Sequence, residues 1–520
     1  MNEGFAGRLG TRIAALLGCV ILAASAGLFV APSAVMRPAL AAGSAGGPVT
    51  VAEPTPPDTF DPIAHSDFNN WLVWQLAYET LVLVQPDGRV APMLATSWKV
   101  SPDGLTYLFT LRGGVKFHNG SALSADDVVF TFERLMAKGI PYAKARFPNV
   151  AAVTAVDPGT VQIRLKKPDS SFLNNLGDPF VVAGAILSRQ AAQATDPATK
   201  MIGTGPFRMV SYVPGSELTL ERNPDYWRSG VPRADRLVIR YIPEAQTAVA
   251  ALLSGSVGLV YPTPVTVVTL KRVTGLRVVT VASSSTFQIN MGSVKPPLDN
   301  VNVRRAIASS IDRSAVVKLA LLGEGVPTGP FPPGHPWAVP LAQQPYYQRD
   351  IVKAKQLLTQ AGYANGVDLT FMWPTLGDTW PRIAQVLQSQ LAESGIRLTL
   401  QQLETNVWLD RLVKANYDLT MTNAPYFADP SLYIVPRAGR QGPTPAELQT
   451  LLDRATQASY AQLPGIYRQI QLTEANLVYP FTGVVAENKW VAYLPRQVEG
   501  VTFDFTGSRR FYFSVRRPAP

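Results

Sequence analysis

The side chains of widest chemical range in this chain are three histidines, His65, His118 and His335, and one cysteine, Cys19. No two histidines stand at metal-ligand spacing, and neither His-Glu-x-x-His nor Cys-x-x-Cys occurs. A strained Gly-x-Ser-x-Gly elbow for a nucleophilic serine is also absent. The adjacent acids Asp126-Asp127 suit the first turn of a helix, where they offset its dipole, better than a general acid and base. His118, in Lys116-Phe-His-Asn-Gly120, reads as a structural turn residue. His335, in Pro332-Pro-Gly-His-Pro-Trp337, reads as part of a rigid surface loop, with the entrance of a cleft as the alternative. The pattern therefore predicts no catalytic residue, no metal site and no cofactor. An enzyme reading has no constellation behind it.

Aromatic and polar residues that suit binding cluster instead around residues 373–430. Residues 367–373 read as a strand, and residues 379–394 as a helix with Ile383, Val386, Leu387 and Leu391 on one stripe. Gly395 ends that helix where a left-handed residue is wanted. Residues 396–400 alternate as a strand, 405–415 form a second helix, and 417–422 a third strand. Strand–helix–strand–helix–strand with short joins calls for a largely parallel sheet covered by helices. Ligands of such sheets sit outside the carboxyl ends of the strands. The loops leaving two of those ends supply Trp373, Asp378, Trp380, Asn423, Tyr426, Phe427 and Asp429. Aromatic walls with a few polar groups form a small-molecule cleft; core or rim packing is the alternative for each tryptophan.

Residues 94–136 read as a strand, a turn at Pro102-Asp103-Gly104, a second strand and a helix capped at Ser124. This stretch resembles the family 5 extracellular solute-binding proteins, receptors of dipeptide, oligopeptide, nickel and related ABC importers. Gly203-Thr-Gly-Pro-Phe207, Glu221-Arg-Asn-Pro-Asp-Tyr-Trp227, Phe287-Gln-Ile-Asn-Met-Gly292 and Val303-Arg-Arg-Ala-Ile-Ala-Ser-Ser-Ile-Asp312 carry the same similarity in order and spacing. Together they cover nearly all of residues 50–490. The first of them carries Pro206 and lacks the third glycine of a dinucleotide loop, so a phosphate cradle is not expected there.

The resemblance implies an α/β, two-lobe periplasmic binding protein fold with hinge crossovers and mixed β-sheets flanked by helices. The crossovers are expected near residues 279–290 and 480–491. Lobe I would comprise residues 42–286 plus 484–520, and lobe II residues 287–483. A Thr-x-Asp-Pro turn at Thr59-Phe-Asp-Pro-Ile63 would precede the facing wall of the cleft, with His65, Asn69 and Asn70 as its polar candidates. The function implied is capture of a small solute between the lobes and its delivery to an ABC permease in the inner membrane. A scaffold or sensor of the same fold is the alternative, and a periplasmic hydrolase a further one.

Peptide-binding members of the family receive the peptide α-ammonium on an aspartate a few residues before an Asp-Pro or Glu-Pro pair. Here the pair is Asp429-Pro430, and the position four before the proline is Tyr426. A desolvated ammonium needs an anion, whereas tyrosine offers a hydroxyl and a π face. The family arginine expected between Trp373 and Trp380 is also missing. Asp378 or Asp429 would have to supply the charge from a shifted position. Both departures argue against an ordinary short peptide bound by its termini. A less charged or ring-bearing solute fits better, whether a modified or otherwise peptide-like solute, a sugar, a chelate or another metabolite.

Arg8 and Arg12, an apolar run over residues 13–30 and Ala39-Leu-Ala41 form the pattern of a secretory signal covering residues 1–41, with an uncleaved anchor as the alternative. Cys19 falls inside the apolar run, so the mature chain would carry no thiol. About 479 residues would remain, enough for two or three cores. The formal charge of +10 would fall to about +8. Its basic residues are scattered, with pairs such as Arg304-Arg305 and Arg509-Arg510 as the longest clusters, which predicts a solvated basic surface and no nucleic-acid partner. A periplasmic monomer is expected.

Overall fold

Residues Ala95–Val100 and Thr106–Leu111 pair antiparallel, with Trp98 opposite Phe109. The reversal between them is local: Asp103 Oδ1 accepts the Leu105 N–H at 3.0 Å, and Gly104 takes φ 69°, a left-handed value that costs glycine little. Helix Ala125–Lys138 then starts at Ser124, whose N–H donates to Asp127 Oδ2 at 2.9 Å. Asp127 also accepts the Arg189 N–H at 2.9 Å, so this acid ties a helix start to its neighbour. Strands Thr160–Leu165 and Val150–Asp157 complete a four-stranded antiparallel sheet.

The computed structural model describes residues 47–63, 68–138, 146–178, 183–281, 285–333, 335, 337–424, 443–458, 462–503 and 508–518. Within them lie two larger sheets. In the seven-stranded one the order is Arg277–Val281, Lys489–Tyr493, Leu259–Val260, Val49–Glu53, Arg236–Tyr241, Glu217–Arg222 and Phe207–Val213. In the six-stranded one it is Gly325–Pro327, Phe481–Glu487, Thr286–Met291, Leu419–Ala424, Val367–Pro374 and Ile396–Leu403. The chain changes sheet between Val281 and Thr286, and again across the single residue Asn488. Each sheet has its own buried apolar cluster.

The six-stranded sheet is mixed rather than largely parallel. Val367–Pro374 runs parallel to both Ile396–Leu403 and Leu419–Ala424, as the strand–helix alternation predicts. The strand by which the chain enters from the other sheet, Thr286–Met291, and the strand by which it leaves, Phe481–Glu487, pair antiparallel to their neighbours. That half depends on where the chain re-enters, which local periodicity does not encode. Helix Thr379–Ala392 buries Ile383, Leu387 and Leu391, and Gly395 follows it at φ 91°.

The motifs singled out in the sequence have structural roles. Gly203 and Gly205 press against the end of helix Phe68–Ala77, where a Cβ on Gly203 would stand 2.1 Å from the Ala77 carbonyl oxygen. Thr204, Tyr226 and Trp227 converge on one buried carboxylate: Thr204 and Tyr226 each donate a hydroxyl to Glu79 at 2.8 Å, and the Trp227 indole donates at 3.0 Å. Burial still pushes the Glu79 pKa up. His118 Nε2 lies 2.9 Å from the Gly205 carbonyl oxygen, while Nδ1 accepts the Gly203 N–H at 3.3 Å. This division suits a neutral imidazole, and burial lowers its pKa to about 4.

Two expectations need correction. Arg304 and Arg509, expected on a solvated basic surface, are buried. Arg304 donates to the carbonyls of Leu298 and Asp299 at 2.9 and 3.0 Å, so it fastens backbone just before its own helix. His335 is 4% exposed rather than part of a surface loop, packed between Phe331 and Trp337, and burial lowers its pKa to about 3.

Candidate ligand-binding site

A cavity of about 510 Å³ is lined from both large sheets. Strand Val49–Glu53 ends in a carboxylate after an apolar run, and Glu53 meets Arg509 there at 2.6 and 3.0 Å. Tyr512 donates to the same carboxylate at 3.1 Å and lies 2.6 Å from the Tyr261 hydroxyl. The Arg509 guanidinium sits 3.6 Å from the centre of the Tyr261 ring. Burial works against the Arg509 charge, but Glu53 and the tyrosines hold its pKa above the ordinary value. Both ions are thus spent on one another. The pair forms a polar but internally neutral floor, with Leu72, Tyr261 and Phe503 beside it.

The opposite side comes from the carboxyl ends of the parallel strands. The segment after Val367–Pro374 carries Leu376, Asp378, Thr379 and Trp380 into the cavity lining, and Asn423 comes from the end of Leu419–Ala424. Trp380 packs edge-to-face on Phe287 with ring centres 5.1 Å apart. Strand Phe481–Glu487 closes, like Val49–Glu53, with a carboxylate after an apolar run. Glu487 accepts the Thr379 hydroxyl at 3.2 Å and lies 3.9 Å from Lys489 Nζ. Burial raises its pKa, Lys489, Thr379 and Arg382 lower it, and Asp378 raises it further. Asp378 itself stands at the start of helix Thr379–Ala392 without a side-chain cap and pairs with Arg382 at 3.5 Å.

Of the residues expected at a cleft, the structure brings Asp378, Trp380 and Asn423 together around this cavity. Asn70 and Trp373 do not line it. Asn70 is fully buried, its Oδ1 accepting the Asp58 N–H at 3.0 Å and its amide donating to the Asp58 carboxylate. Trp373 is 4% exposed and packs with Phe371 in the core of the six-stranded sheet, ring centres 6.0 Å apart. His65, Tyr426, Phe427 and Asp429 lie outside the described residues, as does the side chain of Asn69. Asp61, in the turn expected before the facing wall, is spent on Arg134, whose Nη1 donates to it at 2.7 Å. Sequence reasoning missed Glu53, Tyr261, Glu487 and Arg509. A carboxylate closing an apolar strand, in Val-Ala-Glu53 and Val-Ala-Glu487, was the available signal.

No group of three or more His, Cys, Asp or Glu among the described residues is arranged to hold a metal ion. Among those residues, no helix is long and apolar enough to cross a membrane.

The family model described as bacterial extracellular solute-binding proteins, family 5 Middle, matches residues 89–442. The glutathione-binding protein GsiB of Salmonella choleraesuis (strain SC-B67) is 32% identical over 384 residues, 73% of this chain and 73% of that protein. Heme-binding protein A of Haemophilus influenzae (strain ATCC 51907 / DSM 11121 / KW20 / Rd) is 33% identical over 338 residues, 59% of this chain and 61% of that protein. Among solved structures, the periplasmic binding protein DppA from Helicobacter pylori in complex with the peptide STSA superposes with a TM-score of 0.76 at 28% identity, covering 91% of this chain and 98% of its own. The fold is that of the two-lobe periplasmic binding proteins. The chain belongs to the bacterial extracellular solute-binding proteins of family 5, non-catalytic receptors of ABC importers that bind peptide-like or other small solutes.

Proposed function

We propose that this protein works in the periplasm, holds its solute in the cavity between the two large sheets, and presents the closed form to an inner-membrane ABC permease. The observation that carries this reading is the composition of the cavity wall. Asp378, Trp380 and Asn423 come from the six-stranded sheet and the helix start that follows one of its strands. Glu53 and Tyr261 come from the ends of strands of the seven-stranded sheet, with Arg509 paired to Glu53, so a solute in contact with both sides favours closure. The two changes of sheet are the hinge in this reading, because each is short enough to absorb a rotation at a few residues. They support two lobes with boundaries a few residues from the expected ones: the chain up to Val281 with the chain after Asn488 as lobe I, and Thr286 to Glu487 as lobe II. Cleavage after Ala41 would release the mature chain, which acts as a monomer. A solute of drug-like or tripeptide-like size suits about 510 Å³. The relatives bearing glutathione-binding and heme-binding names make a peptide-like or ring-bearing solute the favoured class.

Native mass spectrometry of residues 42–520, prepared from the periplasm without denaturation, tests this. A discrete added mass lost on gentle unfolding is expected. A clean protein mass, together with no thermal stabilisation by any solute of the classes above, would remove the capture reading and favour a scaffold.

A further inference from the structure

The two charged groups at the hinge side of the cavity are not equally served. Glu53 receives two hydrogen bonds from Arg509 and one from Tyr512, all within 3.1 Å. Glu487 receives a single hydroxyl, from Thr379, at 3.2 Å. An ionised carboxylate has room for about four donors. Its cation, Lys489 Nζ, stands 3.9 Å away, outside hydrogen-bond range. Lys489 reaches it along the backbone of the hinge itself, two residues on, and its side chain remains one-third exposed. A second carboxylate, Asp378, lines the same cavity and does not cap the helix it begins. Trp380, Phe287 and Trp490 supply aromatic wall around them.

We propose that Glu487, supported by Asp378 and the Trp380 ring, is the subsite that receives an ammonium group of the solute, and that Lys489 is the resident counter-charge this ammonium displaces. The argument rests on the capture reading above and adds the charge of the solute to it. A primary ammonium brings three donors on a compact cation, which Glu487 has unused acceptor capacity to meet. An aromatic face beside it adds a cation–π contribution. Asp378 and Glu487 have Arg382 and Lys489 as their nearest cations, at 3.5 and 3.9 Å, and a neutral hydroxyl at the same place would add none. Burial, which pushes the Glu487 pKa up, is the cost that a bound ammonium would offset. Lys489 then has the opposite effect from an ordinary supporting residue, since it competes with the solute for one anion.

The test uses the mature protein and two matched pairs of probes: phenylalaninamide against its α-hydroxy analogue, and phenethylamine against phenethyl alcohol. Binding is read by isothermal titration on wild type, Glu487→Gln and Lys489→Met, each first shown to melt cooperatively. The ammonium members are expected to bind at least about 10-fold more tightly than their hydroxy partners, a difference of about 1.4 kcal/mol. Glu487→Gln is expected to abolish that preference, and Lys489→Met to tighten the ammonium members several-fold. A residue with a merely structural role would weaken every probe in both variants. Equal binding of charged and neutral members, or no binding of ammonium probes, would overturn the subsite. Either result leaves solute capture standing if native mass spectrometry shows a captured solute, so the two failures are distinguishable. If Glu487→Gln does not fold, Asp378→Asn replaces it: its carboxylate is mostly exposed, and the ammonium preference should fall without vanishing.

Discussion

His118 shows how one side chain can serve the fold and still report on pH. Its two ring nitrogens meet an acceptor at Gly205 and a donor at Gly203, an arrangement that only the neutral ring satisfies. In the unfolded chain the ring protonates near pH 6.5, whereas in the fold it resists protonation down to about pH 4. Its contribution to stability is therefore complete above pH 6.5 and lost progressively as the pH falls toward 4. Within that window the loss approaches about 1.4 kcal/mol per pH unit. His335 adds a similar slope that continues to about pH 3. Urea titrations across pH 4 to 7 should show His118→Gln with a shallower pH dependence than wild type. An unchanged slope in that variant would show that the ring protonates within the fold. The buried pair Glu53–Arg509 belongs to the same scale. Its geometry adds little net stability over an apolar pair, but it forbids loss of either partner.

At the scale of elements, Gly203 and Gly205 pack tightly on the end of helix Phe68–Ala77. The Gly205 N–H donates to the Ala77 carbonyl at 2.9 Å, so the segment is pinned as well as crowded. Glu79, just beyond the helix, collects Thr204, Tyr226 and Trp227, which places two separated sequence motifs on one anion. A Cβ on Gly203 would meet the Ala77 carbonyl oxygen at 2.1 Å, and the backbone on both sides is fastened. Gly203→Ala should cost about 3 kcal/mol of stability. Chemical denaturation checks it: a loss below about 1 kcal/mol would mean that the helix end can shift. Gly395, by contrast, serves conformation, following its helix at φ 91° before the next strand.

For the whole molecule, contacts between the two halves occur at two separate places. At one, the Ser170 hydroxyl donates to the Ala455 carbonyl at 2.6 Å, and the Ser170 N–H to the Thr456 carbonyl at 3.3 Å, at the end of helix Ala446–Gln457. At the other, Glu324 takes the Trp490 indole at 3.1 Å and an ion pair from Lys271. The first set must break for the halves to part, while the second lies beside the hinge strands and can persist. Removing the Ser170 hydroxyl should therefore shift the protein toward the open form without changing the wall of the cavity. In small-angle X-ray scattering, Ser170→Ala without solute is expected to have a larger radius of gyration than wild type. Identical curves with and without solute, in both proteins, would argue against hinge closure.

Local patterns in the sequence determined the elements. The turn at Asp103-Gly104, the stripe on Thr379–Ala392, the stop at Gly395 and the three parallel strands all follow from interactions within a few residues. The same patterns placed Asp378, Trp380 and Asn423 at strand ends, and so beside the cavity. Asn70 and Trp373 lie away from this cavity, and residue type and loop proximity do not reveal which way a side chain faces. The partner that settles it for Asn70 is Asp58 across a loop, and for Trp373 it is the core of a sheet. Only tertiary structure could bring Glu53 to Arg509, across more than four hundred residues, or set Glu487 beside Thr379. Such contacts arise from chain closure and from the exclusion of water around charges, and neither leaves a periodic trace in the sequence.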